Sequence, residues 1–316
     1  MIKVAADISE RVRLGKIVKV LVTGLVLFSF IPPLRAQDTP QNLQRKMRLL
    51  DEDEVRTVIS RAEEGNPVSQ LWAGLIYDLG QHVTADRKTA ARYYAKAAQQ
   101  GSAPAAFLLA EMYATGASLA KDPAKASQLY KQAADADYGP AITVLADMYV
   151  SGMGVEKSLA EAFQLYTRAA KQGDPKAEYA LGVMYRDGLG TTKQCEPAIK
   201  WIVAAANQKY PPAQTAVGDL YSSGTCVPQD YTRAAKVYEL AANQNDAAAA
   251  AHLGELYADG HGVKRDPEAA YKWFAIAQTG GVPSDRVAAL RRELSKEQIA
   301  SAEAAAEAWM REHQNK

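Results

Sequence analysis

The sequence is short of the residues from which most reaction centres are built. Its four histidines, His82, His252, His261 and His313, share no metal-ligand spacing within one helix, and neither a Cys-x2-Cys nor a His-Glu-x2-His pattern occurs. Neither a phosphate-cradling glycine loop nor a Gly-x-Ser-x-Gly elbow is present. No metal, no cofactor and no catalytic residue are therefore expected, and a binding protein is favoured over an enzyme. Neither sign of charge dominates: 37 basic and 36 acidic side chains leave a net +1, so no long-range field draws the chain to nucleic acid or an anionic membrane. Its longest uncharged apolar stretch, Val20 to Ile31, falls short of the roughly 20 residues a membrane-spanning helix needs.

That stretch has a different reading. Lys3, Arg11, Arg13, Lys16 and Lys19 precede it, Pro32-Pro33 ends it, and Leu34-Arg35-Ala36 offers a small residue for cleavage. The order is that of a secretory signal peptide over residues 1–36, cut after Ala36 rather than kept as an anchor. Asp7 and Glu10 in the charged region, and the bulky Leu34, depart from the usual pattern. The expected location is beyond the cytoplasmic membrane, in the periplasm of a cell with two membranes, with membrane contact only during export.

Internal repetition decides the architecture. Tyr77, Tyr113, Tyr149, Tyr185, Tyr221 and Tyr257 recur at a spacing of 36, each followed three residues later by a glycine, Gly80, Gly116, Gly152, Gly188, Gly224 or Gly260. Two alanine columns, Ala90 to Ala270 and Ala97 to Ala277, keep the same register. Between them runs a bulky column, Tyr94, Tyr130, Tyr166, Ile202, Tyr238 and Phe274, at helical spacing. Each unit thus reads as two helices. A glycine able to take the left-handed conformation ends the first, and Asp86, Asp122, Asp230 or Asp266 stands where a carboxylate can cap the second. The small column Gly74, Ala110, Ala146, Gly182, Gly218 and Gly254 lets a neighbouring helix come close, and the recurring tyrosines are expected to fill the space between the two helices of a unit. A lone hairpin cannot bury its apolar stripe, so successive hairpins must stack.

Ala177-x3-Leu181-Gly182-x2-Tyr185-x2-Gly188-x-Gly190, followed by Ala198-x2-Trp201-x3-Ala205-Ala206, resembles the Sel-one-like repeat family, a relative of tetratricopeptide repeats. Ala249 to Asp266 matches the same pattern most fully. His82, Ser118 and Cys226 depart from it in the glycine turns. The resemblance implies an all-α, right-handed α-solenoid of six 36-residue helix-turn-helix repeats over residues 67–281. Capping helices would cover the N-terminal side (37–66) and the C-terminal side (282–316), where Ser295-x2-Gln298 has the form of a capping box. It also implies an adaptor that holds a protein or peptide partner, with an envelope component among the candidates. Envelope polysaccharide or peptidoglycan association is the alternative, and a serine enzyme acting on penicillin-like amides a more remote one. The last rests on Ser118-Leu-Ala-Lys121, which lacks the Ser-Asp-Asn and Lys-Thr-Gly companions such enzymes carry.

Two sites follow from the register. Cys195 opens the second helix of repeat four and Cys226 lies in the turn of repeat five, and stacking would bring equivalent turns together. A disulfide is expected there, the alternative being two unrelated turn cysteines. On the first helices, the residues six and two before each tyrosine, and the one after it, share the face opposite the packed stripe. That concave face would offer Leu71, Phe107 and Tyr179 as apolar contacts, with Glu111, Asp147, Arg186, Asp219 and Glu255 as charged ones. Such a groove suits an extended peptide with basic and apolar residues. His252, in a column otherwise apolar, reads as a partly buried packing residue.

Overall fold

The computed structural model describes residues 38–313, which form sixteen α-helices and no strand. The leader-like segment 1–36 lies outside the described residues. Two compact units meet at Pro140 and Ala141. In the first, α1 (Pro40–Met47) and α2 (Glu52–Glu63) precede two hairpins, α3 (Pro67–Leu79) with α4 (Arg87–Gln99) and α5 (Ala103–Thr115) with α6 (Pro123–Asp135). The second holds α7 (Gly139–Ser151), whose first turn spans the division, and α8 (Leu159–Lys171). Its other hairpins are α9 (Pro175–Asp187) with α10 (Cys195–Asn207), α11 (Pro211–Ser223) with α12 (Tyr231–Ala242), and α13 (Ala247–Asp259) with α14 (Pro267–Thr279). Two further helices, α15 (Arg286–Glu293) and α16 (Lys296–His313), close the chain. The class is an all-α solenoid of six repeats.

One set of local interactions, repeated six times, makes the hairpins. Gly80, Gly116, Gly188, Gly224 and Gly260 adopt φ between 71° and 75° at the ends of their first helices. The chain then returns so that the amide at the next cap donates to the carbonyl of the recurring tyrosine, as in Asp86 to Tyr77 (2.8 Å), Gln194 to Tyr185 (2.9 Å) and Asp266 to Tyr257 (2.9 Å). Asp86, Asp122, Ser158, Asp230 and Asp266 each accept from amides of the first turn beyond them, satisfying donors that the helix cannot. Gln194 makes no such side-chain bond.

The bulky column fills the interior, not the recurring tyrosines. A Cβ placed on Gly74, Gly218 or Gly254 would come within 2.4–2.7 Å of the ring of Tyr94, Tyr238 or Phe274, and on Gly182 within 2.6 Å of Ile202. These second-helix side chains are at most 1% exposed. The recurring tyrosines are half-buried instead, with rings against Tyr93 (Tyr77, 5.8 Å), Phe163 (Tyr185, 5.2 Å) or beneath Arg233 (Tyr221, 5.6 Å). The expected filling role therefore passes to the column whose side chains project onto the glycines, because only there do the helices approach closely enough to exclude water.

Hairpins are joined by polar clasps where the sequence permits. Gln100 donates to the Gly65 carbonyl (3.1 Å) and to Gln70 (2.8 Å), and Gln208 repeats this with Gly173 and Glu178. Gln244 pairs with Gln214 in the same register. Ser295 and Gln298 exchange the two bonds of a capping box. Helix α16 then packs on α14, with Ala302 and Ala306 buried and Trp309 edge-on to Trp273 at 5.7 Å.

Candidate interaction surface

The first-helix face does not present all the residues the register assigns to it. Leu71 is wholly buried and Phe107 is 4% exposed, so neither can anchor a ligand. Helix α3 is buried on every side from Ser69 to Ile76, since α1 packs on it in addition to α2 and α4. Phe107 sits edge-on between Tyr130 (5.4 Å) and Tyr138 (5.5 Å), and Tyr138 in turn donates to the Asp38 carbonyl at 2.9 Å. Segment 38–47 thus covers part of the face that the repeat pattern alone leaves open. In the second unit Tyr179 stays half-exposed against Tyr210 at 5.8 Å, and Arg186 forms a two-pronged pair with Asp187 at 2.8 Å.

The acidic column is organised by a partner that sequence columns could have revealed. Nineteen residues beyond each acid stands the bulky second-helix residue, and where both types permit they bond: Tyr130 to Glu111 (3.3 Å), Tyr166 to Asp147 (2.5 Å) and Tyr238 to Asp219 (2.7 Å). Repeat four replaces the pair with Val183 and Ile202, both apolar. In repeat one Leu75 faces Tyr94, whose buried hydroxyl has no hydrogen-bond partner among the described residues. Burial, with Asp147 as hydrogen-bond acceptor and nearby charge, pushes the Tyr166 phenol well up. Burial likewise raises the Glu111 carboxyl, against the Tyr130 bond that lowers it.

This contrast yields a paired prediction. Tyr166→Phe should cost about 1–2 kcal/mol, at the low end for a bond to a charged group because Asp147 keeps water and a lysine. Tyr94→Phe should be neutral or stabilising by up to about 1 kcal/mol, since it removes an unsatisfied buried hydroxyl. Urea denaturation of both variants checks the order, and equal losses would contradict it.

Basic side chains within the second unit complete the column. Lys176 reaches Asp147 at 2.5 Å, His252 lies 3.4 Å from Asp219, and Arg286 bonds both Glu255 (2.5 Å) and Asp259 (2.6 and 2.8 Å). The Arg286 bonds hold the Asp259 carboxyl below its ordinary range. His252 stacks on Tyr238 with centroids 4.9 Å apart.

Cys195 and Cys226 form a disulfide with Cα atoms 5.1 Å apart. It occupies a contact that other repeats of this unit make with backbone alone: a Cβ on Gly190 would lie 2.2 Å from the Leu159 carbonyl oxygen, and on Gly262 2.3 Å from the Tyr231 carbonyl carbon. Each pair is separated by 31 residues, like the cysteines. In the first unit His82, at the same repeat position, reaches back to within 3.2 Å of the Leu50 carbonyl oxygen. Ser118 has a buried hydroxyl without a hydrogen-bond partner among the described residues. Among the described residues no cluster of three His, Cys, Asp or Glu could hold a metal, and no helix is long and apolar enough to cross a membrane.

These features define a helical-hairpin repeat protein. The chain belongs to the Sel1 repeat family: the Sel1 repeat model matches residues 67–102, 103–138, 139–174, 175–210, 211–246 and 247–277. Among solved structures it is similar to a Sel1 repeat protein from Oxalobacter formigenes, with 29% identity, a TM-score of 0.64 and coverage of 75% of this chain and 92% of that one. It is also similar to a protective antigen of uropathogenic Escherichia coli displaying an SLR fold (24% identity, TM-score 0.44, 87% and 77% covered). An immunity protein from Pseudomonas aeruginosa aligns at 20% identity and a TM-score of 0.39, covering 86% and 89%. Neither of these two bears on what the chain does. No match was found among curated protein sequences. Sel1 repeats form a non-enzymatic scaffold that generally binds protein partners.

Proposed function

We propose that this chain is an exported adaptor that holds a protein or peptide partner on the first-helix face of its repeats, with Tyr179, Arg186, Asp219 and Glu255 of the second unit among the contacts. One observation carries the reading. On an otherwise repeating frame, the half-exposed positions of α9, α11 and α13 differ from unit to unit, as Tyr179-Val183-Arg186, then Asp219-Ser222, then Ala251-Glu255. Packing needs the constant columns, so the varied ones are free to specify a partner. Leu71 and Phe107 are left out because they are buried, and Glu111 and Asp147 remain secondary candidates. Export is supported by the basic and apolar segment before Ala36 and by the disulfide, which persists in an oxidising compartment.

A photo-crosslinking amino acid at position 179 should give a discrete protein adduct in cells. The same residue at position 240, on the exposed surface of α12, should not. Equal labelling from both positions, or none, would remove this reading of the face. Mass spectrometry of the protein from fractionated cells should place the mature N-terminus at Gln37, and a start at Met1 would remove export by a cleaved leader.

A further inference from the structure

Beside the acidic column, α11, α12 and α13 enclose a cleft of about 210 Å³ lined by Ser222, Tyr231, Tyr238, His252, Glu255 and His261, among others. Two stacked ring pairs form its walls. Tyr231 lies on His261 with centroids 4.7 Å apart and planes 19° from parallel, and Tyr238 lies on His252 at 4.9 Å and 24°. Glu255 and Asp259 line it between them, and Asp219 adjoins it through Tyr238 and His252. We propose that this cleft receives an arginine side chain of the bound partner, its guanidinium stacked on a ring and paired with Glu255.

Three observations select that ligand chemistry. The carboxylates are preorganised but not used up. Arg286 bonds Oε2 of Glu255 and both oxygens of Asp259, and Tyr238 bonds Oδ1 of Asp219. Among the described residues none donates a hydrogen bond to Oε1 of Glu255 or Oδ2 of Asp219. The local charge is also unbalanced: Arg286 bonds only Glu255 and Asp259, the latter also beside His261, while Asp219 is met by Tyr238, the His252 ring and Arg186, which is itself paired with Asp187. Arg265, which also acts on Asp259, is itself paired with Glu293 at 2.8 Å. Finally, the same unit already joins these chemical groups elsewhere: Arg291 lies over the Tyr271 ring at 5.7 Å, donates to its hydroxyl at 2.8 Å and pairs with Glu303 at 3.4 Å. A planar cation can stack on an aromatic face while pairing with a carboxylate in its own plane, which an ammonium cannot do.

This inference rests on the adaptor reading and names the partner's chemistry at one place. The test uses the whole chain and follows the ring resonances of His252 and His261 by NMR during titration with N-acetyl-arginine amide. Saturable shifts are expected. N-acetyl-citrulline amide, which keeps the shape without the charge, should bind at least tenfold more weakly, and N-acetyl-lysine amide at least threefold more weakly. Glu255→Gln should weaken arginine binding at least fivefold, Tyr231→Leu should weaken it comparably, and Glu161→Gln, on α8 and outside the cleft, should leave it unchanged. Each variant's melting curve reports that it folds. No saturable shift, binding unchanged in Glu255→Gln, or citrulline or lysine equal to arginine would each overturn the proposal. A discrete adduct from position 179 alongside a silent cleft would remove the arginine site and leave the adaptor standing.

Discussion

Gly262→Ala is expected to destabilise the second unit by about 3 kcal/mol or more, whereas Gly173→Ala should cost only about 1–2 kcal/mol. Both glycines hold positive φ, 68° and 84°, where an alanine pays the left-handed penalty of roughly 1–2 kcal/mol per residue. They differ in what a methyl group would meet. Nothing lies within 4 Å of a Cβ on Gly173, but on Gly262 it would be 2.3–2.5 Å from the carbonyl of Tyr231 and the amide of Thr232. Those are backbone atoms at the start of α12 and cannot rotate aside. The turn of repeat six would have to withdraw from repeat five, adding an overpacking cost of about 1–3 kcal/mol. Urea midpoints of the two variants decide the matter, and equal losses would show that the turn gives way freely.

That contact explains why some of the chain could be read from the sequence and some could not. The constant tyrosine, glycine and alanine columns fix hairpin register because they meet conformational demands repeated in every unit. The Ser295–Gln298 box and the cysteine pair were legible for the same reason: each is a local or register-bound interaction. Leu71 and Phe107 were misplaced because their burial comes from segment 38–47, which stands outside the repeat pattern, and from Tyr138, in a column that holds Ser102, Asp174, Tyr210 and Asp246 in other repeats. The recurring tyrosines were misjudged because sequence spacing gives the face of a helix, not the depth to which it is buried.

The acidic column was half legible. Glu111, Asp147, Asp219 and Glu255 do lie on first helices, but their partners come from residues 19 ahead in the same hairpin, or about 30 ahead in the next. The signal was present. Tyrosine stands opposite an acid in repeats two, three and five, while Val183 faces Ile202 where neither is polar. A column compared with its structural partner, and not only with itself, would have exposed the pairing. In consequence these carboxylates enter any complex already held in place, and a ligand gains by using their unfilled lone pairs without ordering them.

The largest single loss should follow from opening the disulfide. Joining Cys195 to Cys226 across 31 residues restricts the unfolded chain, and replacing both by alanine should cost about 3–4 kcal/mol on the chain-entropy account. Part of that cost has another origin. Cys226 sits at φ 65° and packs beside Ile202, Ala216 and Leu220, at the repeat position where the neighbouring turns carry Gly190 and Gly262. An alanine there inherits the left-handed strain of the repeat's turn, which recurs at His82 (φ 55°), Gly190 and Gly262 (both 68°), without the bond that offsets it. Combining Cys195→Ala with Cys226→Gly should therefore recover about 1 kcal/mol relative to the double alanine, since glycine tolerates that conformation. Denaturation of the two double variants, with the oxidised and reduced wild type for comparison, measures both quantities. If the glycine variant is no more stable than the alanine one, the turn relaxes once the bond is gone. If reduction leaves the wild-type midpoint unmoved, the bridge joins turns that the neighbouring helices already hold together.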